Sequence, residues 1–176
     1  MRSNCLAFRL SVAATLVGAL SSPVAAETPP AVGLTLDGMT YVLSRGGLTE
    51  LQIEAKRAEI SPRTAHVELV GVRARLGALA GSSQQAGGLE FVCQRGSLDL
   101  EAREFRAVGG ITGRMPDGRT LQAQQLRYRQ DRGLVSSETP VALRDGTGIF
   151  KGGGFQYWVR ENRFRLTDGA RIVLGE

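Results

Sequence analysis

Apolar and polar residues alternate with a period of two along most of the chain, the signature of strands with one buried face. Leu51, Ile53 and Ala55 share a face, as do Val67 and Leu69, Leu98 and Leu100, and Phe105, Ala107, Gly109 and Ile111. The pattern continues at Leu121 and Ala123, Val141 and Leu143, Phe155, Tyr157 and Val159, and Phe164 and Leu166. Between these runs stand Gly46-Gly47, Ser61-Pro62, Pro116-Asp117-Gly118, Asp145-Gly146, Glu161-Asn162 and Asp168-Gly169. Such pairs supply the positive φ, or the preset proline φ, that a reversal needs. No window keeps an i, i+3, i+4, i+7 apolar stripe with caps, so the spacing predicts an all-β chain.

The strands also repeat. Segments starting at Leu51, Leu89, Arg119 and Thr147 each carry a small residue near the fifth position: Ala55, Cys93, Ala123 and Gly152. About a dozen residues further on, each has an apolar strand residue (Val67, Phe105, Leu134, Phe164), as strand–turn–strand units would. The first interval is longer because of the Gly/Ser/Gln-rich run 77–88, GALAGSSQQAGG, which reads as a flexible loop. Repeats made of strands alone imply stacked β layers, each burying its face on the next. Two architectures satisfy this: a β-helix, or an open sheet folded into a U or jelly roll.

The N-terminus reads as an address. Arg2 and Arg9 precede the uncharged run Leu10–Leu20, and Val24-Ala25-Ala26 supplies the small residues of a secretory cleavage site before Glu27. The rival reading of 1–26 is an uncleaved anchor, against which stand Arg9, two serines and Pro23. Residues 27–37 then form a Pro-containing lead-in to a β domain over 38–176.

Composition removes most chemistry. In 176 residues there is one histidine, His66, and two cysteines, Cys5 and Cys93. That set cannot build a zinc site, an iron–sulfur cluster or a disulfide framework, so no metal site and no cofactor is expected. Nucleophile-elbow, zincin, phosphate-loop and EF-hand patterns are missing from the sequence, which argues against an enzyme and leaves no catalytic residue to name. Without residues 1–26 the chain keeps 20 basic residues, nearly all Arg, against 17 acidic ones. The charges are interspersed rather than gathered into a stripe, and an exported chain does not meet nucleic acid. His66 reads as a solvated strand residue, Cys93 as a small buried hydrophobe, and Lys151-Gly152-Gly153-Gly154 as a bend. Asp99 and Glu101 point to solvent. In Arg127-Tyr128-Arg129 and Arg163-Phe164-Arg165 the aromatic faces inward and the arginines outward, either as a wet strand face or as partners for phosphate.

The run FRAVGGITGRMPDGRTLQAQQLRYRQDRGLVSSETPVAL resembles the LptC-type family of lipopolysaccharide export proteins. The matching elements are Phe105, Gly109 or Gly110, Ile111, Gly118, Leu121, Ala123, Leu126, Tyr128, Leu134-Val135 and Thr139-Pro140-Val141. Upstream, LQIEAKRAEI looks like another of the family's strands, and the likeness spans about Gly38 to Leu174. The resemblance implies a folded-over antiparallel sheet (a β-jelly roll or β-taco) whose apolar trough holds the acyl chains of lipopolysaccharide. The residues it places in that trough are Leu51, Ile53, Val67, Leu69, Phe91 and Leu98 from the first half. Leu100, Phe105, Ile111, Leu121, Tyr128 and Val141 follow, then Leu143, Phe155, Tyr157, Phe164 and Leu166.

The resemblance also implies partner edges. Tyr41, Val42 and Leu43, in a first strand over about Met39–Leu43, would face the periplasmic domain of an inner-membrane ABC transporter. Ile172, Val173 and Leu174, in a last strand over about Ala170–Leu174, would face the periplasmic bridge protein LptA. The chain would sit in the periplasm, associated with the inner membrane. The family is usually anchored by an uncleaved helix, whereas this N-terminus looks cleavable, which brings in a soluble LptA-like bridge role. Two further readings are a carbohydrate-active enzyme on a β-helix, for which the single tryptophan, Trp158, is a thin aromatic platform, and a polymerising β-stack.

Overall fold

Gly46 and Gly47, both at positive φ, turn β1 (Leu34–Arg45) back into β2 (Leu48–Ser61). The same logic runs down the computed structural model, which describes residues 33–79 and 88–174. Ser61–Ala65 leads to β3 (His66–Leu79), and β4 (Leu89–Asp99) pairs antiparallel beside it. The chain continues through β5 (Glu104–Arg114), β6 (Thr120–Arg129), β7 (Leu134–Ser137), β8 (Val141–Arg144) and β9 (Gly148–Gly152). It ends with β10 (Gly154–Trp158), β11 (Arg163–Thr167) and β12 (Arg171–Leu174). All are antiparallel members of one 12-stranded sheet, with β1 at one edge and β11 and β12 at the other. An antiparallel meander is not a β-helix, whose coils pair in parallel, so the β-helix reading and the enzyme built on it fall.

The sheet is creased across β1–β6. Outward of the crease, the inward-facing side chain recurs every second residue; at the crease the step is three, from Ala55 to Ala58, Leu69 to Val72 and Ala123 to Leu126, all buried. The pairing shows the same line: Gly38, Lys56 and Gly71 fall in the gaps of the β1–β2–β3 register, and β4–β5 and β5–β6 are bulged around Gln94, Gly109 and Gly110. A bulge bends its strand and strengthens local twist. Beyond β6 the crease breaks the strands outright. β6 pairs β8 through Thr120–Ala123 but β7 through Arg127–Arg129, and β9 and β10 are two halves separated at Gly153.

Each of β1–β6 thus contributes one half to each of two walls, and each later strand belongs to one wall only. Wall one holds the β1–β2 hairpin tip, the Leu89 end of β4, the Thr120 end of β6, and β8, β9 and β12. Wall two holds the opposite halves with β7, β10 and β11. The small residues of the sequence repeat form a row beside the crease, running Ala55–Val72–Cys93 and then Ile111–Ala123–Val141–Gly152 across neighbouring strands. There the walls come close: a Cβ added to Gly152 on wall one would lie 3.0 Å from the Leu166 Cβ on wall two. The Gly152–Gly154 bend expected from sequence lies on this line.

Several expectations change. Asp168-Gly169 is no reversal: β11 pairs β10 and β12 pairs β9, so these residues carry the last strand across the crease. The first strand begins at Leu34, inside the expected lead-in, and Gly38 is its crease residue rather than its start. The last strand begins at Arg171. β3 runs on to Leu79, past the expected loop start at Gly77. Residues 1–26, with the expected signal segment, and residues 80–87 of that loop lie outside the described residues. Among the described residues, no helix is long and apolar enough to cross a membrane.

Candidate functional site: an apolar trough between two walls

The inward faces of the two walls form one continuous apolar cluster. Leu51, Ile53, Val67, Leu69, Phe91 and Leu98 are buried in it, as are Phe105, Ile111, Leu121 and Tyr128. Val141, Leu143, Phe155 and Tyr157 complete the buried set expected from sequence. Fully burying a Leu, Ile or Phe side chain is worth about 1.5–3 kcal/mol, so this interior is the main source of cohesion between the walls. The Tyr157 hydroxyl donates to Asn162 Oδ1 at 3.0 Å, which satisfies the polar end of a buried ring.

Leu100 does not belong to the set. β4 ends at Asp99, and Leu100 lies in the β4–β5 turn with 44% of its surface exposed. That turn is held by the Asp99 side chain, which accepts a hydrogen bond from the Ala102 N–H at 2.7 Å, and by Arg103 at positive φ. Asp99 is half-buried and Glu101 exposed, away from any cleft. Sequence alternation missed Leu76, Leu89, Met115 and Leu126, all buried in the same cluster. Leu76 and Leu89 flank the Gly/Ser/Gln-rich run, and Met115 and Leu126 break simple alternation.

The trough is flared at both ends. On β1, Leu36, Met39, Tyr41 and Leu43 point inward yet are only partly buried, while Val42 faces outward. At the other end Phe150, Phe164 and Leu166 are half-buried, and the inward-facing Ile172 and Leu174 are 59% and 71% exposed. Val173, like Val42, points outward. The C-terminal edge therefore has two parts, β12 on wall one and β11 on wall two, where the sequence reading had β12 alone. Among the described residues each edge strand pairs on one side only, which leaves main-chain N–H and C=O groups able to pair with another strand.

Charge sits on the outer face and at the rims of the trough, where the Arg119 guanidinium lies 4.2 Å from the Phe164 ring centroid. Arg127 faces Glu104 at 3.4 Å and the Arg163 guanidinium lies 4.5 Å from the Trp158 ring centroid, both on the outer face, whereas Arg129 is half-buried with its Nε covered. His66 is half-buried and bonded to Glu68 at 2.7 Å. Cys93 is buried beside the crease, and burial pushes its thiol up to about 11. Among the described residues, no three His, Cys, Asp or Glu side chains converge as metal ligands would.

An open antiparallel sheet creased around an apolar trough, with edge strands paired on one side at both ends, is a folded-over β-sheet of the jelly-roll type. The chain belongs to the family described as lipopolysaccharide-assembly, LptC-related, whose model matches residues 33–174. Among solved structures it is similar to the crystal structure of LptH, the LptA-homologous periplasmic component of the conserved lipopolysaccharide transport device from Pseudomonas aeruginosa. That match has a TM-score of 0.52 at 11% identity and covers 72% of this chain and 95% of the other, a likeness of fold. No curated protein matches the sequence.

Proposed function

We propose that this protein is a non-catalytic, lipopolysaccharide-binding component of the periplasmic transport bridge, associated with the inner membrane. It receives lipopolysaccharide from the periplasmic domain of the inner-membrane ABC transporter at its β1 edge. It passes the lipid toward the outer membrane through LptA at its β11–β12 edge. The observation that carries this reading is the trough itself: an apolar interior flared at both ends, in a member of the LptC-related family. Acyl chains laid in it would leave water at about 25 cal/mol per Å² of apolar surface, and strand addition at the edges would join one trough to the next.

The test is to purify the protein from membranes and measure co-purifying lipopolysaccharide by native mass spectrometry. A one-to-one complex, lost when an inward residue such as Leu143 becomes Arg in a folded variant, supports the reading. A protein that carries no lipid and takes none from added lipopolysaccharide contradicts it. A second reading, a soluble LptA-like bridge protein, is favoured by the likeness to LptH and by the small-residue site before Glu27. N-terminal sequencing of the protein from the periplasm separates the two.

A further inference from the structure

The rims of the two walls meet at the open margin of the trough. Arg45, Leu48 and Glu50 from the β1–β2 hairpin tip and Gly77 of β3 lie opposite Tyr128, Val159 and Arg160 of wall two. Together they enclose a cleft of about 250 Å³. One carboxylate links the rims: Glu50 Oε1 accepts from an Arg160 guanidinium nitrogen at 3.3 Å, and Glu50 Oε2 faces Arg45 Nε at 3.6 Å. Glu50 is well covered, with 15% of its side chain exposed, whereas each arginine is 50% exposed. Oε2 is buried and accepts no hydrogen bond among the described residues. Both contacts are longer than the roughly 2.7–2.9 Å of a tight charge-assisted bond: Arg160 makes one long hydrogen bond to Glu50 and Arg45 only an ion pair.

Two guanidiniums converging on one loosely held anion, above the inward Tyr128 ring and beside Leu48 and Val159, match an amphiphile at its polar–apolar junction. We propose that this cleft docks the phosphomonoester of an amphiphile whose acyl chain enters the trough. The phosphate displaces Glu50 from Arg45 and Arg160 and so releases the link between the rims. A phosphomonoester brings about −1.5 to −2 charge and three acceptor oxygens, against one charge and two oxygens on the carboxylate. Arginine forks pair with it bidentately. The Tyr128 phenol, raised to about 12 by burial and then by Glu50, keeps its proton beside the site. The inference rests on the proposed function, because the chain must have a trough to enter.

The test titrates the full protein by calorimetry with two lipids of equal chain length: lysophosphatidic acid, which carries the phosphomonoester, and monoacylglycerol, which does not. The wild type is expected to bind lysophosphatidic acid at least about tenfold tighter, the scale of a bond to a charged group. Arg160→Gln and Arg45→Gln should each remove most of that preference, and Glu50→Gln should increase it, with folding verified by circular dichroism. A merely structural clasp would instead weaken both lipids equally in all three variants, which overturns the proposal. Equal binding of the two lipids by the wild type, or binding of neither, overturns it; the proposed function falls only if added lipopolysaccharide is not bound either. Inorganic phosphate that displaces lysophosphatidic acid at equal concentration would overturn the amphiphile assignment.

Discussion

The rings of Phe91 and Phe105 stack across the trough, with centroids 6.2 Å apart and planes 21° from parallel. Phe91 belongs to the wall-one half of β4, and Phe105 pairs with Leu98 in the wall-two half of the same strand. On a flat strand, seven residues would separate positions 91 and 98 by about 23 Å. The stack exists because β4 is folded at the crease, and it measures directly how closely the walls approach.

Phe91→Ala removes one side of this contact and leaves a cavity between the walls. Stability should fall by about 3–5 kcal/mol, read as a lower midpoint in urea, while Val92→Ala on the outer face should change it by less than about 0.5 kcal/mol. Equal losses at the two positions would mean that the walls do not depend on this packing.

The crease makes its own prediction at Gly71, which has φ +65° and lies opposite Lys56. An added Cβ would meet the Lys56 Cδ at 2.8 Å, so Gly71→Ala has both a strained backbone and a clash. We expect a loss of about 1–3 kcal/mol in chemical denaturation. Adding Lys56→Ala should recover the steric part and leave the backbone part.

Much of this architecture is legible in the sequence, because strands with one buried face must alternate, and Gly46-Gly47 and Pro116–Gly118 must turn. The crease is harder to read, because a three-residue step looks like lost alternation rather than a fold line. Its trace is present in the repeating small residues Ala55, Cys93, Ala123 and Gly152, which sit beside the crease. Leu100 was misplaced because its turn contains no Gly or Pro and depends on the Asp99 side chain and the Arg103 backbone. Asp37-Gly38 and Asp168-Gly169 look alike locally to a reversal and to a crease; only strand pairing tells them apart. The rim contact between Glu50 and Arg160 joins residues 110 apart in sequence, and no local pattern marks it.

Stability should fall in alkaline solution. Burial raises the Cys93 thiol from 9.0 to about 11, and it raises the Tyr128 and Tyr157 phenols from 10.0 to about 12. The folded chain therefore holds protons that the unfolded chain has released, and the slope of stability against pH is negative where the two differ. The contribution is fully present below pH 9 and is lost as pH rises toward about 12. Urea midpoints measured from pH 8 to 11 should be flat and then decline from about pH 9, and Cys93→Ala should delay the onset.

At the C-terminal edge, Val173→Pro removes a main-chain donor from β12 and disturbs its ladder with β9. Binding to immobilised LptA should weaken by about tenfold or more while binding to the transporter's periplasmic domain and to lipid stays within about twofold. Loss of the transporter contact instead would reverse the polarity assigned to the edges.

The central claim is that lipid lies between the walls, and site-specific photocrosslinking in cells tests it most directly. A photoreactive residue placed at inward Phe105 or Leu143, and for comparison at outward Val70 or Val92, is irradiated and probed for lipopolysaccharide. The account predicts adducts from the two inward positions and none from the two outward ones. Adducts from Val70 or Val92 alone would contradict it and place the lipid on the outer face.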